Sequence, residues 1–248
     1  MLIESNKFHK SKFINLSSAV AGVVYSRIYL FTDYFALRKI NEQLASENAR
    51  LKTLEKKSFI KLNARDITVN DTLYRQRYKY LSAKVINSTT TSLRNFLILD
   101  KGSEQGIETE MAVISPKGVI GIVSKVSKHY CSVLSVLHID TRINAMLEDN
   151  TYQGIIKWDG LSPEIVKLND IPQHVQLQVG QEVLTKGSTG LFPKGVLIGH
   201  ITEFNQVPGS NFYNIKVSLS TNFNAVNYVY IVKNLLKDEQ KQLESDFK

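Results

Sequence analysis

The sequence is poor in the residues that build disulfides, metal sites and many catalytic sites. It has a single cysteine, Cys131, in 248 residues, so an internal disulfide and a cysteine-based metal site are excluded. Its five histidines are scattered, and none has the spacing of a zinc motif such as HExxH. The GxGxxG and P-loop phosphate motifs are absent as well. The sequence therefore predicts neither a cofactor nor a metal.

Long hydrophobic runs are also lacking near the N-terminus. The longest uncharged run in that part of the chain extends from Phe13 to Ser26, and Arg27 ends it. A membrane-spanning helix needs about 20 mostly apolar residues. The segment also lacks the compact apolar core and the cleavage site of a secretory signal. We interpret residues 1–30 as a membrane-proximal segment that does not contain a transmembrane anchor.

Positive charge is concentrated in one part of the chain. The formal net charge is +8, and the stretch from Arg50 to Lys84 holds ten basic and three acidic residues. A local excess of this kind favours an anionic partner surface, although a solvated linker has the same composition. We assign residues 59–79 to a basic linker and leave both interpretations open.

A heptad pattern precedes this linker. Leucines recur every seven residues, an isoleucine and a leucine occupy the complementary position, and Glu47 interrupts it once. No glycine or proline occurs between Gly22 and Gly102, which favours a long helix from about residue 20 to residue 57, with a coiled coil over residues 31–58. The predicted homodimer interface comprises Leu37, Ile40, Leu44, Leu51 and Leu54. The alternative is that the helix packs on its own β-domain.

From about residue 80 the pattern changes to short apolar strands separated by turns. This is typical of small sandwiches or barrels. "PKGVIG" at 116–121 returns as "PKGVLIG" at 193–199, which indicates two related subdomains. The chain is thus predicted to be mainly β, with two β-subdomains, sandwiches or barrels, at 80–155 and 156–233 and a polar tail at 234–248 that frays. The predicted structural turn residues are Gly102, Gly106, Pro116, Gly118, Gly121, Pro193, Gly195 and Gly199.

Two alternative functions deserve a test. A chymotrypsin-like hydrolase on two barrels would need a histidine, an acid and a serine in that order, and the sequence offers such a set. The candidates are His129 or His138, Asp140, Asp149 or Asp159, and Ser188. Nucleic-acid binding would need basic and aromatic residues on the barrels, and only "RQRYKY" at 75–80 mixes them. Both patterns arise easily by chance, so we predict no enzyme, no nucleic acid and no small-molecule substrate.

Two features of the chain together resemble the bacterial rod shape-determining MreC family. They are the heptads and the strand-rich segments "AKVINSTTTSLRNFLILDKGSEQGIETEMAVISPKGVIGIV" and "GLFPKGVLIGHI". The similarity extends from about Tyr34 to Lys233. Its diagnostic parts are Asp100 to Gly102, Gly106, Met111 to Gly121, and Phe192 to Gly199.

This resemblance implies that each of the two β-subdomains is a small β-barrel. It also implies a non-enzymatic scaffold of the cell-wall elongation machinery that maintains cell shape. It implies a single-pass anchor in the cytoplasmic membrane, with most of the chain on the periplasmic or extracytoplasmic side. The implied partners are further copies of the chain, in a dimer or a filament, the membrane protein MreD and the penicillin-binding transpeptidase of elongation. Exposed strand edges and loops of the barrels are expected to provide the docking sites.

Overall fold

The computed structural model describes residues 37–55, 59–61, 74–148, 152–187, 190–206 and 208–245. Helix α1 covers residues 37–54. The chain divides into two compact units, residues 1–47 and 48–248, so residues 48–54 of α1 belong to the same unit as the β-structure. The membrane-proximal segment 1–30 and the ends of the predicted helix lie outside the described residues. No described helix combines the length and the hydropathy of a membrane span.

Among the described residues, fourteen strands follow α1. They are β1 Phe59–Lys61, β2 Tyr74–Gln76, β3 Tyr78–Ser88, β4 Arg94–Leu99, β5 Ala112–Ile114, β6 Val119–Val126, β7 Cys131–His138, β8 Ile143–Leu147, β9 Gln153–Lys157, β10 Ile165–Asn169, β11 Glu182–Thr185, β12 Leu197–Gln206, β13 Tyr213–Leu219 and β14 Tyr228–Asn234. Helix α2, Lys237–Ser245, follows β14.

The strands from β3 onward form two closed barrels, as the sequence predicted. The first barrel has the order β14-β3-β4-β7-β6-β5, and the second has the order β10-β13-β12-β11-β8-β9. Along β10 the residues alternate, with Val166 and Leu168 buried inside and their neighbours half-buried outside. Closure pairs every barrel strand with two others, but parts of the longer strands pair on one side only, such as residues 203–206 of β12, which pair with β13 alone. Docking at strand edges and loops stays a prediction.

The barrel boundaries differ from the predicted 80–155 and 156–233. Strands β8 and β9 belong to the second barrel, and β14 returns to the first barrel, where it pairs with both β3 and β5. Strand periodicity shows where a strand lies but not which distant strand it joins. The prediction missed this return because it assigned neighbouring strands to the same barrel.

Two flanking segments also depart from the prediction. The two ends of the basic linker 59–79 pair as β1 and β2, and Tyr78 already begins the first barrel. The tail 234–248 does not fray at its start: the Asn234 amide nitrogen donates a hydrogen bond of 2.8 Å to the Gly190 carbonyl oxygen. The Leu236 backbone N–H donates to Asn234 Oδ1 at 3.0 Å, so the side chain ties the two barrels together and leads into α2.

Candidate docking surfaces and the family

The five residues predicted to form the dimer interface all have exposed side chains. They are Leu37, Ile40, Leu44, Leu51 and Leu54, with exposed fractions of 58%, 49%, 55%, 50% and 59%. We call this set the α1 stripe. Leucines left about half exposed on a helix carry apolar surface that a partner helix would remove from water.

Another face of the same helix contacts the first barrel. Ala49 is buried and belongs to the hydrophobic core. The Thr53 hydroxyl donates to the Ala49 carbonyl oxygen at 2.8 Å and accepts the Tyr80 backbone N–H at 3.1 Å. Lys52 Nζ lies 5.9 Å from the centre of the Tyr230 ring, within the range of a cation–π interaction. The alternative prediction, that the helix packs on its own β-domain, is therefore correct for residues 49–53, while the α1 stripe stays exposed.

The repeated "PKG" segments, residues 116–118 and 193–195, are called the PKG turns here. The first closes the β5–β6 hairpin, where the Ser115 N–H donates to the Gly118 carbonyl at 2.7 Å and the Gly118 N–H donates to the Ser115 hydroxyl at 3.1 Å. The second ends the longer loop before β12. There the Thr185 hydroxyl donates to the Pro193 carbonyl and accepts the Val196 N–H at 2.9 Å. A hydroxyl side chain thus holds each turn, although the two loops differ in length.

Two predicted glycines permit close approach of neighbouring strands. A Cβ atom at Gly121 would overlap the Leu134 carbonyl oxygen of β7, and one at Gly199 would overlap the Ser218 carbonyl oxygen of β13. Each glycine lies near the start of the strand that follows a PKG turn. The sequence repeat therefore corresponds to a repeated backbone contact, which requires glycine at both positions.

The remaining predicted turn residues lie in loops. Gly106, with φ 76°, ends the short 3-10 helix Ser103–Gln105, and Gly102 donates its N–H to Gln105 Oε1 at 2.8 Å. A Cβ atom at Gly102 would overlap the Ser127 carbonyl oxygen. Pro116, Pro193 and Gly195 lie at the PKG turns. These residues shape the backbone, and none of them forms part of a catalytic arrangement in the described structure.

The structure brings two of the hydrolase candidates together, since His138 Nδ1 lies 3.8 Å from an Asp140 carboxylate oxygen. The other candidates that it describes have different partners. His138 Nδ1 accepts the Asp140 backbone N–H at 3.1 Å, so the ring stabilises the turn after β7. His129 lies 3.2 Å from Glu104, and Asp159 lies 3.4 Å from Lys167. Asp149 and Ser188 lie outside the described residues. Among the described residues, no group of three or more His, Cys, Asp or Glu side chains is arranged to hold a metal.

In the basic–aromatic segment 75–80, one of the two tyrosines is unavailable for base stacking. Tyr78 is buried, and its burial raises the pKa of its hydroxyl, an effect that the charge of Arg77 partly offsets. Arg77 lies 5.3 Å from the centre of the Tyr78 ring. Stacking on nucleic-acid bases requires exposed ring faces, which the buried Tyr78 does not offer, whereas Tyr80 is half-buried. The absence of nucleic-acid binding stays a prediction.

The match to known proteins agrees with this architecture. Residues 85–233 match the model of the family described as rod shape-determining protein MreC, barrel core. The chain belongs to the MreC family. Over 192 residues it is 30% identical to the cell shape-determining protein MreC of Listeria monocytogenes, and the match covers 76% of this chain and 63% of that protein.

Solved structures show the same fold. The structure of MreC from Listeria monocytogenes has a TM-score of 0.59 and 23% identity, and the match covers 94% of this chain and 96% of the other. The MreC fold in a complex between penicillin-binding protein PBP2 and MreC from Helicobacter pylori has a TM-score of 0.51 and 18% identity, with 64% of this chain covered and 100% of that one.

Sequence reasoning missed how the PKG turns are placed relative to each other. Lys117 and Lys194 occupy the middle of the two turns, and both line one cleft together with Lys52 of α1. The repeated lysine was visible in the sequence. The sequence pattern explained each lysine only as a turn residue, because a repeat does not reveal that its two copies lie close together at a barrel junction.

Proposed function

We propose that the protein is a non-enzymatic scaffold of the bacterial cell-wall elongation complex. It maintains cell shape by forming dimers and docking peptidoglycan-synthesis proteins at the outer face of the cytoplasmic membrane. The exposed α1 stripe, in a chain of the MreC family, is the observation that carries this proposal. Apolar residues at heptad spacing are stabilised when a second helix packs against them.

The contacts of α1 with the first barrel support a dimer in which the barrel stays attached. Thr53 and Ala49 bind the helix to the barrel, whereas Leu51 and Leu54 are exposed. Pairing through the α1 stripe then needs no release of residues 49–53. In this proposal each copy presents two closed barrels as a rigid platform for partners.

The proposed partners are a penicillin-binding transpeptidase, an MreD-like membrane protein and the cytoplasmic membrane, reached through an N-terminal anchor. The Helicobacter pylori complex of PBP2 with MreC supports the first of these. A scaffold regulates an enzyme when it binds one conformation more tightly than another, because the difference in affinity shifts the population. Docking in this proposal holds the transpeptidase in its active conformation.

Crosslinking followed by purification from membrane extract tests the docking step. Wild-type protein serves as bait, and a fluorescent β-lactam identifies penicillin-binding proteins on a gel. We expect a labelled band to purify with the bait and to be missing from a mock purification. A crosslinked bait that brings down no β-lactam-labelled protein would contradict the proposed docking.

The non-enzymatic part of the proposal has its own test. A generic ester substrate is incubated with wild-type protein and with the variant Ser188→Ala. We expect the same background rate of hydrolysis for both. Turnover above background that disappears in Ser188→Ala would instead support the hydrolase.

A further inference from the structure

A small cleft lies where the two PKG turns and the end of α1 meet. Its volume is about 190 Å³. We call it the turn cleft. Its lining includes Lys52 and Glu55 from the end of α1, Lys117 from the first PKG turn and Lys194 from the second. Tyr80 and the backbone of both turns complete its polar wall.

The turns that form this cleft are fixed to each other. A Cβ atom at Gly118 would lie 2.5 Å from the Leu197 carbonyl oxygen, so the first turn directly abuts the start of β12. The Ser115 and Thr221 hydroxyls are 3.1 Å apart and form a buried hydrogen bond. The backbone that carries Lys117 and Lys194 is therefore preorganised, which lowers the entropic cost of binding a ligand there.

The charges in the turn cleft are unbalanced. Three lysines line it against one acid, Glu55. Lys117 and Lys194 are exposed, and within the described part of the chain neither forms an ion pair. Like charges that converge on one cleft repel each other, and their combined potential attracts an anion.

We propose that the turn cleft binds the carboxylates of a short acidic peptide segment in a protein partner. The carboxylates accept hydrogen bonds from Lys117 and Lys194, and apolar side chains of the same segment contact Val196 and Leu197, which are half-buried and also line the cleft. The small volume and the mixed lining match a few residues of an amphipathic peptide. An extended basic surface, rather than a small cleft, would favour binding of a long polyanion such as a nucleic acid.

This inference deepens the proposed scaffold function, because it assigns one docking site and the chemistry of the segment that occupies it. It does not require a dimer, since the lysines and the turns belong to a single copy. A measurement of peptide binding in solution therefore separates the two proposals. Loss of the dimer leaves the cleft intact, and failure of peptide binding leaves the dimer intact.

Fluorescence anisotropy with a labelled hexapeptide of alternating glutamate and leucine tests the cleft. The purified chain is titrated into this probe at low salt and again at 0.3 M salt. The double variant Lys117→Glu/Lys194→Glu should weaken binding by about tenfold or more, since two attractive charges become repulsive. The matched control, Lys125→Glu/Lys157→Glu, makes the same charge change at exposed strand positions outside the cleft and should change the affinity less than twofold.

Four outcomes would overturn the inference. The first is no binding by the wild-type chain up to millimolar concentration. The second is equal weakening by the two double variants, which would indicate a general charge effect. The third is that a peptide with glutamine in place of glutamate binds equally well. The fourth is that inorganic polyphosphate displaces the probe at a lower charge concentration than unlabelled peptide. Circular dichroism of each variant confirms that the barrels remain folded.

Discussion

The two barrels have the same number of strands and the same glycine contact after a PKG turn, but the chain builds them differently. The second barrel uses β8 to β13 in an unbroken stretch. The first barrel contains β3 to β7 and closes only when β14 pairs with β3 and β5. Tyr228 pairs with Lys84, and the whole second barrel lies between these two residues in the sequence. Closure of the first barrel therefore depends on a contact between more distant parts of the chain.

This difference has consequences for stability and folding. Closing a longer loop costs more chain entropy, although the cost rises only slowly with length, and non-local pairing slows folding. The second barrel has all its strands within residues 143–219. We infer that it forms as a contiguous insertion and that β14 then completes the first barrel, which makes the junction between the barrels a fixed part of the fold.

The largest expected effect comes from the paired glycines, which test how equivalent the barrels are. Gly121→Val and Gly199→Val should each cost upwards of about 4 kcal/mol, because each side chain would collide with a backbone carbonyl of the next strand. Urea denaturation gives the free energy of unfolding. Ser124→Val, at an exposed position in β6, is the control and should change it by about 0.5 kcal/mol or less. A mild effect at one glycine only would break the equivalence.

Matched core truncations sharpen the difference between the barrels. Ile231 of β14 and Ile215 of β13 are both fully buried, and replacing either by alanine should cost about 3 kcal/mol. Hydrogen exchange should show a loss of backbone amide protection in different strands for the two variants. Ile231→Ala should increase exchange mainly in β3 and β5, and Ile215→Ala mainly in β10 and β12. Identical exchange patterns in the two variants would show that the barrels unfold only as one body.

A smaller effect arises from Cys131, which occurs in the first barrel alone. Burial raises the pKa of its thiol to about 11, and the nearby charge of Asp100 contributes in the same direction. The unfolded chain loses this proton near pH 9, so the thiol's contribution to stability is complete below that pH and is lost as the pH rises toward 11. The loss should reach about 1 kcal/mol by pH 10.

The comparison of wild type with Cys131→Ala isolates that effect. Urea denaturation at pH 8, 9 and 10 should show a steeper loss of stability for the wild type than for the variant. The buried Tyr230, whose burial raises the pKa of its hydroxyl, adds a similar loss to both proteins at higher pH. Equal slopes between pH 8 and 10 would mean that the thiol is not held protonated by the barrel.

The sequence predicted the kind of structure better than its connections. Turn spacing indicated small sandwiches or barrels, and the PKG repeat indicated two related subdomains. The repeat also contains Gly121 and Gly199, and in the structure both glycines allow close contact with a carbonyl oxygen of the neighbouring strand. The return of β14 to the first barrel was missed because pairing between distant strands has no local signature. The turn cleft was missed for a similar reason: Lys52, Lys117 and Lys194 are far apart in the chain and meet only at the barrel junction.

The heptad pattern located the α1 stripe, but a heptad does not say whether its leucines are covered by the same chain. The structure leaves all five exposed while Ala49 packs on the barrel. Dimerisation through the α1 stripe thus remains a prediction, and the scaffold proposal depends on it.

Light scattering after size-exclusion chromatography tests that prediction most directly. The wild-type chain should have twice the mass of one 28.1 kDa copy. Leu44→Asp/Leu51→Asp should have the mass of one copy, because carboxylates in the α1 stripe would be buried without partners. The control Asn41→Asp/Ser46→Asp adds the same charge at exposed positions outside the stripe and should stay dimeric. A wild-type chain that runs as a single copy, or a Leu44→Asp/Leu51→Asp variant that keeps the dimer mass, would contradict the account.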